Sequence, residues 1–153
     1  MNRLFTFHKA ERLSHRKQID NLFNEGLSFN LPSFKVFYLT EDSRTDVPVK
    51  VLMTVSKRKF KRAVDRNRIR RLMREAYRLH KHILIDRLLA LPGGIHIALI
   101  YVGDRQDIGF EETEQQMIRC LERLGGWLEA AAVAPRKRSD EGPASGGGGI
   151  SST

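Results

Sequence analysis

The sequence predicts an α+β fold, a two-layer α/β sandwich in which helices cover a small mixed sheet. Three observations support this class. Apolar residues recur at helical spacing in some stretches, and runs of β-branched and aromatic residues lie between those stretches. Apolar residues also make up 41% of the 153-residue chain, which is enough for one domain with a buried core.

The predicted helices and strands alternate along the chain. A first helix at 14–26 has Ser14 as its N-cap and Gly26 as its stop. The elements that follow are strands at 28–40 and 49–55, a basic helix within 57–81 that continues toward 84 or 91, a breaker at 92–94, a strand at 95–102 and a last helix from 110, which the glycine pair 125–126 could interrupt. The strand, helix and strand between 49 and 102 predict parallel or mixed pairing, and such crossovers are generally right-handed.

The charge of the protein is concentrated in residues 57–81. This stretch contains twelve Lys and Arg residues and two acids, which gives it a charge of +10, whereas the whole chain has a formal net charge of +9. One segment therefore accounts for the basic character of the protein. Such a distribution indicates a dedicated site for a polyanion.

The same stretch has the periodicity of an amphipathic helix. Its apolar stripe comprises Ile69, Leu72, Met73, Ala76, His80 and Ile83. The opposite arc comprises Asn67, Arg70, Arg71, Arg74, Arg78 and Lys81, with Arg66 and Arg68 on its two flanks. Arginine makes bidentate hydrogen bonds to phosphate, so this arc predicts nucleic-acid binding. The alternative is a solvated helix face, which usually mixes both signs of charge.

Composition excludes several other classes of protein. The longest apolar run has eight residues, so no membrane span is expected, and the N-terminus lacks a signal-peptide pattern. The single cysteine, Cys120, excludes an internal disulfide and favours a cytoplasmic location. The predicted domain covers residues 1–132, and the Gly- and Ser-rich tail at 133–153 is predicted to be disordered.

Several of these motifs together resemble the bacterial ribonuclease P protein component. The resemblance covers roughly residues 9 to 130. Its motifs are Arg12-Leu13, Ile19 with Phe23 and Gly26, Val55-Ser56-Lys57, and the central run Ala63-Val64-x-Arg66-Asn67-Arg68-Ile69-x-Arg71-Leu72-x-Arg74-x-Ala76.

The resemblance implies both a fold and a function. The fold is a sandwich like the second domain of a ribosomal protein, with a left-handed crossover that overrides the general rule. The implied partners are a catalytic RNA subunit and the 5′ leader of precursor transfer RNA, with no membrane and no small-molecule substrate. In this family the RNA performs the endonucleolytic cleavage with Mg²⁺ ions held by the RNA, so the resemblance assigns no catalytic residue and no metal site to the protein.

The resemblance also assigns binding residues. By resemblance the RNA-binding positions are Lys57, Arg58, Arg66, Asn67, Arg68, Arg70, Arg71 and Arg74. The basic run itself adds Lys59, Lys61 and Arg62 to the predicted RNA-binding residues. The expected leader cleft is lined by Phe23, Phe37 and Ile19, and Phe34 is expected in the core. Base stacking on aromatic side chains makes such a cleft chemically reasonable.

This sequence departs from the family pattern at three places. Ile19 stands where phenylalanine is usual, Met53 replaces a small residue, and the link from Ser56 to Ala63 is one residue longer, with Lys61-Arg62 in place of a Gly-Asn-like pair. A structural RNA-binding protein of ribosomal type, without a leader cleft, stays an alternative. A DNA-binding module is less well supported, because the helix lacks a varied base-reading set. A protein enzyme is the least supported, because His80, His82 and His96 have no ligand or triad partner at diagnostic spacing.

Overall fold

The computed structural model describes residues 7–41, 47–89, 93–105 and 107–133. Residues 131–133 are described as backbone only. Its elements are a 3-10 turn at Lys9–Glu11, helix α1 (Arg16–Glu25), strands β1 (Leu27–Asn30), β2 (Phe34–Glu41) and β3 (Val49–Val55), helices α2 (Ala63–His80) and α3 (His82–Leu88), strand β4 (Gly94–Tyr101), and helix α4 (Phe110–Val133). The tail predicted to be disordered lies outside the described residues, except that the backbone of Val133 closes α4.

The four strands form one mixed sheet in the order β1-β2-β4-β3. Strand β2 pairs antiparallel with both β1 and β4, whereas β3 and β4 are parallel. Parallel neighbours need a crossover connection, and α2 and α3 provide it. The mixed sheet covered by helices is therefore confirmed, and the hand of the crossover stays a prediction.

The single strand predicted at 28–40 is two strands joined by a tight turn. Pro32 has no amide hydrogen for a sheet ladder, so the extended run cannot continue through it. The amide of Leu31 donates to the carbonyl oxygen of Phe34 at 2.8 Å and closes the turn. Gln116 of α4 holds Ser33 within this turn, because the side-chain oxygen of Gln116 accepts a hydrogen bond from the Ser33 amide at 2.8 Å.

The side chains of β2 alternate between the two faces of the sheet. Phe34, Val36 and Tyr38 are buried in the main core, which α2, α3 and α4 cover. On the other face, Phe37 belongs to a smaller cluster around Leu22 of α1. Helices thus lie on both faces, and the α1 side leaves Phe37 half-exposed. The expectation that Phe34 belongs to the core is confirmed.

Helix α1 begins later than predicted. His15 occupies its N-cap position, and the predicted Ser14 cap is absent. The chain just before it is fixed to β3, since the amide of Leu13 donates to the carbonyl oxygen of Val51 at 3.0 Å, so Ser14 lies in the connection. Gly26 ends the helix as predicted, and its backbone is extended, with φ −76° and ψ 167°. Glycine is required by space, because a Cβ would lie 2.5 Å from the carbonyl oxygen of Leu22.

The segment that was predicted to continue the basic helix toward residue 84 or 91 forms the separate helix α3. The break lies at Lys81, which was predicted on the exposed arc and is instead buried with its Nζ 2.7 Å from Glu11 Oε1. A buried amine needs an opposite charge, and a residue 70 positions away supplies it. Gly93 then has a φ of 106°, which favours glycine and fits the predicted breaker.

The glycine pair 125–126 does not interrupt α4, contrary to the prediction that it could. Gly125 is buried, and a Cβ there would collide with the guanidinium group of Arg87 from α3. The glycine therefore permits close packing of α3 on α4. Burial of the neighbouring residues Leu121, Leu124 and Leu128 stabilises the helix across this point.

Candidate RNA-binding surface

Helix α2 has a buried face and a basic face. Ile69, Met73 and Ala76 are fully buried, as their phase predicts, whereas Leu72 is only half-buried. Tyr77 is the buried residue that the predicted stripe missed. Its ring sits one turn beyond Met73, so the helical period was a usable signal for it. Burial raises the pKa of its phenol, which leaves it neutral.

An arginine cluster, defined as Arg12, Arg70, Arg71 and Arg74, occupies the basic face. The pKa of Arg74 is lowered by partial burial and then by the guanidinium groups of Arg12, Arg70 and Arg71. Among the described residues none of the four forms a salt bridge, and Arg70 donates instead to the side-chain oxygen of Asn67. These like charges repel Arg74, and a bound anion would relieve that repulsion.

Arg66 and Arg68 differ from the cluster, because both guanidinium groups bind protein backbone. Arg66 donates to the carbonyl oxygens of Phe60 and Lys61, at 2.7 and 3.0 Å. Arg68 donates to the carbonyl oxygen of Ile108 at 2.8 Å. The two flanking arginines therefore connect α2 to the loops on either side of it. The helical phase had placed both residues on the flanks of the basic arc, but it did not predict that they bind backbone.

The loop before α2 is fixed to the sheet by one aromatic residue and one lysine. Phe60 is buried, and its ring lies 5.7 Å from that of Tyr101 at the end of β4. Lys59 Nζ donates to the carbonyl oxygen of Val102 at 2.7 Å and to Asp104 at 2.9 Å. Lys59 itself stays exposed, and the other exposed cations of the loop are Lys57, Arg58, Lys61 and Arg62. Phe60 was missed, although it is the single aromatic residue among the cations at 57–62 and aromatic side chains contribute large buried areas to cores.

The residues expected in the leader cleft lie together on the α1 side of the sheet. The rings of Phe23 and Phe37 meet edge to face with centroids 4.8 Å apart. Phe23 is 37% exposed, and Ile19 packs into the same cluster. Lys35 Nζ lies 5.5 Å from the centroid of Phe37. The site combines an exposed aromatic edge with a cation.

The remaining titratable groups form no triad or metal site within the described part of the chain. His80 pairs with Glu114 at 2.8 Å, and burial lowers the pKa of His96, whose neighbour is Glu41. Burial raises the pKa of Cys120 to about 12, which makes its thiol unreactive. No group of three or more His, Cys, Asp or Glu could hold a metal ion there. No helix of that part is long and apolar enough to cross a bilayer.

A family model described as Ribonuclease P matches residues 7–125, a span that contains both the arginine cluster and the Phe23–Phe37 pair. The chain belongs to the ribonuclease P protein family. A ribonuclease P protein component of Porphyromonas gingivalis is 36% identical over 129 residues, which cover 84% of this chain and 93% of the relative. That of Chlorobium phaeobacteroides is 38% identical over 125 residues, covering 76% and 86% respectively.

Solved structures of ribonuclease P proteins share the fold. The protein from Thermotoga maritima has a TM-score of 0.58 at 23% identity, over 74% of this chain and 96% of that structure. The protein from Staphylococcus aureus has a TM-score of 0.57 at 20% identity, over 76% and 95%. At these identities the structures support the architecture alone. The predicted fold class and family resemblance are confirmed.

Proposed function

We propose that this chain is the protein subunit of ribonuclease P and assists a catalytic RNA in removing the 5′ leader of precursor transfer RNA. The observation that carries the proposal is the arginine cluster, four guanidinium groups without a salt bridge in the described structure, within a span that matches the ribonuclease P family. An RNA with dense phosphates is the partner that this charge best suits. The proposed location is the cytoplasm.

In this proposal the basic face of α2 docks on the RNA subunit. Arg70, Arg71 and Arg74 contact phosphates, and Asn67 contributes an uncharged polar group at the centre of the face. The exposed cations of the preceding loop extend the contact around the N-terminus of α2, where the helix dipole also favours anions. Arg66, Arg68 and Lys59 support the surface, because their side chains bind other parts of the protein.

The leader is proposed to lie along the α1 side of the sheet. Phe23 offers its exposed ring edge, and Phe37 and Lys35 lie beside it on β2. A single strand is bound well by aromatic stacking together with a cation for the backbone, and each stacked base contributes about 1–3 kcal/mol. The cleft and α2 are on opposite faces of the sheet, so the leader and the RNA subunit can be bound at the same time.

The chemistry itself is assigned to the RNA. Mg²⁺ ions held by RNA and substrate supply the cleavage in this proposal. The protein contributes binding and orientation through its basic face and its aromatic pair. No protein side chain is assigned a catalytic role.

The direct test is cleavage of precursor transfer RNA by the protein and the ribonuclease P RNA of the same genome. At low Mg²⁺ we expect leader removal by the two components together, little by the RNA alone and none by RNA-free protein. Cleavage by the protein alone would overturn the assignment of the chemistry to the RNA. Tight binding to that RNA with no effect on leader removal would favour the ribosomal-type alternative.

Replacing Phe23 and Phe37 by alanine is expected to weaken precursor binding more than mature transfer RNA binding. Loss of two stacking platforms removes about 2–6 kcal/mol if each stacks on one base, and only the precursor carries the leader. Affinities for both RNAs, measured with the holoenzyme, check this. Phe34→Ala is the contrasting variant, because Phe34 is buried and should lower the stability of the fold. Equal losses for both RNAs would assign the aromatic pair to the core.

A further inference from the structure

The segment before α1 lies against α2 and is held there by three kinds of contact. We call residues 7–13 the N-terminal strap. The ring of Phe7 meets that of Tyr77 edge to face with centroids 5.5 Å apart. Glu11 Oε1 lies 2.7 Å from Lys81 Nζ, and both side chains are buried. Leu13 donates its amide to the carbonyl oxygen of Val51 on the edge of β3.

These contacts determine where Arg12 is placed. Its backbone forms a parallel bridge with Val51, so the strap follows the edge of the sheet beside α2. Its neighbours in sequence, Glu11 and Leu13, are both buried, whereas Arg12 itself is exposed. Two buried neighbours fix the backbone and leave only the side chain of Arg12 adjustable. Its guanidinium carbon lies 5.5 Å from the centroid of the Phe7 ring, which packs on Tyr77 of α2.

The Arg12 guanidinium therefore joins the basic face of α2 from a different part of the chain. Its charge acts on Arg74 strongly enough to help lower the pKa of that residue. Within the described residues Arg12 forms no salt bridge, whereas the nearby acid of its own segment, Glu11, is already used by Lys81. A cation held beside other cations and without a salt bridge destabilises the free protein slightly, and a polyanion removes that repulsion on binding.

We propose that Arg12 is a phosphate-binding residue for the RNA subunit, acting with Arg70, Arg71 and Arg74, and that the buried Glu11–Lys81 ion pair positions it. This inference rests on the proposed function, since it assigns a further residue and a positioning pair to the same docking surface. The strap converts a one-helix surface into one built by two chain segments, which restricts the shape of the RNA backbone that fits it.

The first experiment compares Arg12→Gln with Arg16→Gln. Arg16 starts α1 on the opposite face of the sheet and is also exposed, so it controls for the loss of one positive charge. Affinity for the in-vitro-transcribed ribonuclease P RNA, without precursor, is measured at several salt concentrations. We expect Arg12→Gln to weaken binding roughly tenfold and to make the slope of log affinity against log salt shallower by about one unit. Arg16→Gln should change neither by a comparable amount.

Two further outcomes separate this inference from the proposed function. If Arg12→Gln behaves like Arg16→Gln while Arg70→Ala with Arg74→Ala weakens binding, the Arg12 assignment is wrong and the docking surface stands. If none of these variants affects binding, the docking proposal fails as well. Thermal unfolding of Arg12→Gln should match that of the parent protein, and Arg12→Lys should recover part of the affinity because it restores the charge without the bidentate geometry.

The positioning role of the ion pair has its own test. Glu11→Leu combined with Lys81→Met removes both buried charges together and avoids leaving one unpaired. We expect the combined variant to lose RNA affinity about as much as Arg12→Gln, and to lose little more when Arg12→Gln is added. Independent losses that add fully in the triple variant would overturn the positioning role. The Arg12 variants test the phosphate contact even if the ion-pair variant folds poorly.

Discussion

Replacing Arg70 and Arg74 together by alanine is expected to weaken binding to the RNA subunit about a hundredfold or more without unfolding the protein. A hydrogen bond to a charged group contributes about 1.5–3 kcal/mol, and each 1.4 kcal/mol is a factor of ten in affinity. If each arginine contacts one phosphate, the salt slope should become shallower by about two units. Equilibrium binding across a salt series measures both quantities.

The free energy of unfolding should hardly change in this variant. Neither arginine has an acid partner in the described structure, and Arg70 is one of the cations that lower the pKa of Arg74. Half-exposed charges without an acid partner contribute little to stability, and removing two of them relieves repulsion. Asn67→Ala should weaken binding with little change in salt slope, because the amide carries no charge. Chemical denaturation of the same preparations provides the comparison.

Arg68→Ala is the matched control from the same helix. Its guanidinium group binds the carbonyl oxygen of Ile108, so its loss should reduce stability by about 1–3 kcal/mol. Binding per folded molecule should then fall less than in the Arg70 and Arg74 variant. The docking proposal would be wrong if the double variant unfolded while its affinity per folded molecule and its salt slope stayed at the parent values.

The sequence predicted those parts of the fold that depend on the repeat of apolar residues along a single helix or strand. Alternation along β2 and the 3.6-residue repeat of α2 depend only on neighbouring residues, so Phe34 and Met73 were placed correctly in the core. Contacts between distant segments leave no such repeat. Lys81 has the phase of an exposed cation, and only the fold brings Glu11 to it.

The same distinction applies to the candidate site. A run of arginines predicts a basic face, and the helical phase places Arg66 on its flank. Spacing alone cannot show that Arg66 holds the carbonyl oxygens of a loop, whereas Arg74 is surrounded by other cations. That difference depends on where the loop lies, and Phe60 fixes the loop by packing against Tyr101. Residue type therefore predicts the chemistry of the surface, whereas the tertiary contacts determine which residues remain available to bind.

The buried face of α2 carries the final prediction, that Met73→Ala destabilises the protein by about 2–5 kcal/mol. Met73 is fully buried between the sheet and the helices, so truncation leaves a cavity as well as lost apolar contact. Domains of this size have about 5–15 kcal/mol of stability in total, which makes this a large share. Guanidinium denaturation, with the slope checked against the parent, measures it.

Leu72→Ala is the neighbouring comparison, and the structure changes what is expected of it. The helical phase placed Leu72 in the same stripe, yet its side chain is only half-buried. A half-buried leucine loses less contact and leaves no closed cavity, so about 1–2 kcal/mol is expected. Both variants should bind RNA with the parent salt slope once corrected for the folded fraction, because the arginine cluster on the other face is intact. A shallower slope in Met73→Ala would mean that the basic face depends on core packing, and the two faces of α2 would then not act independently.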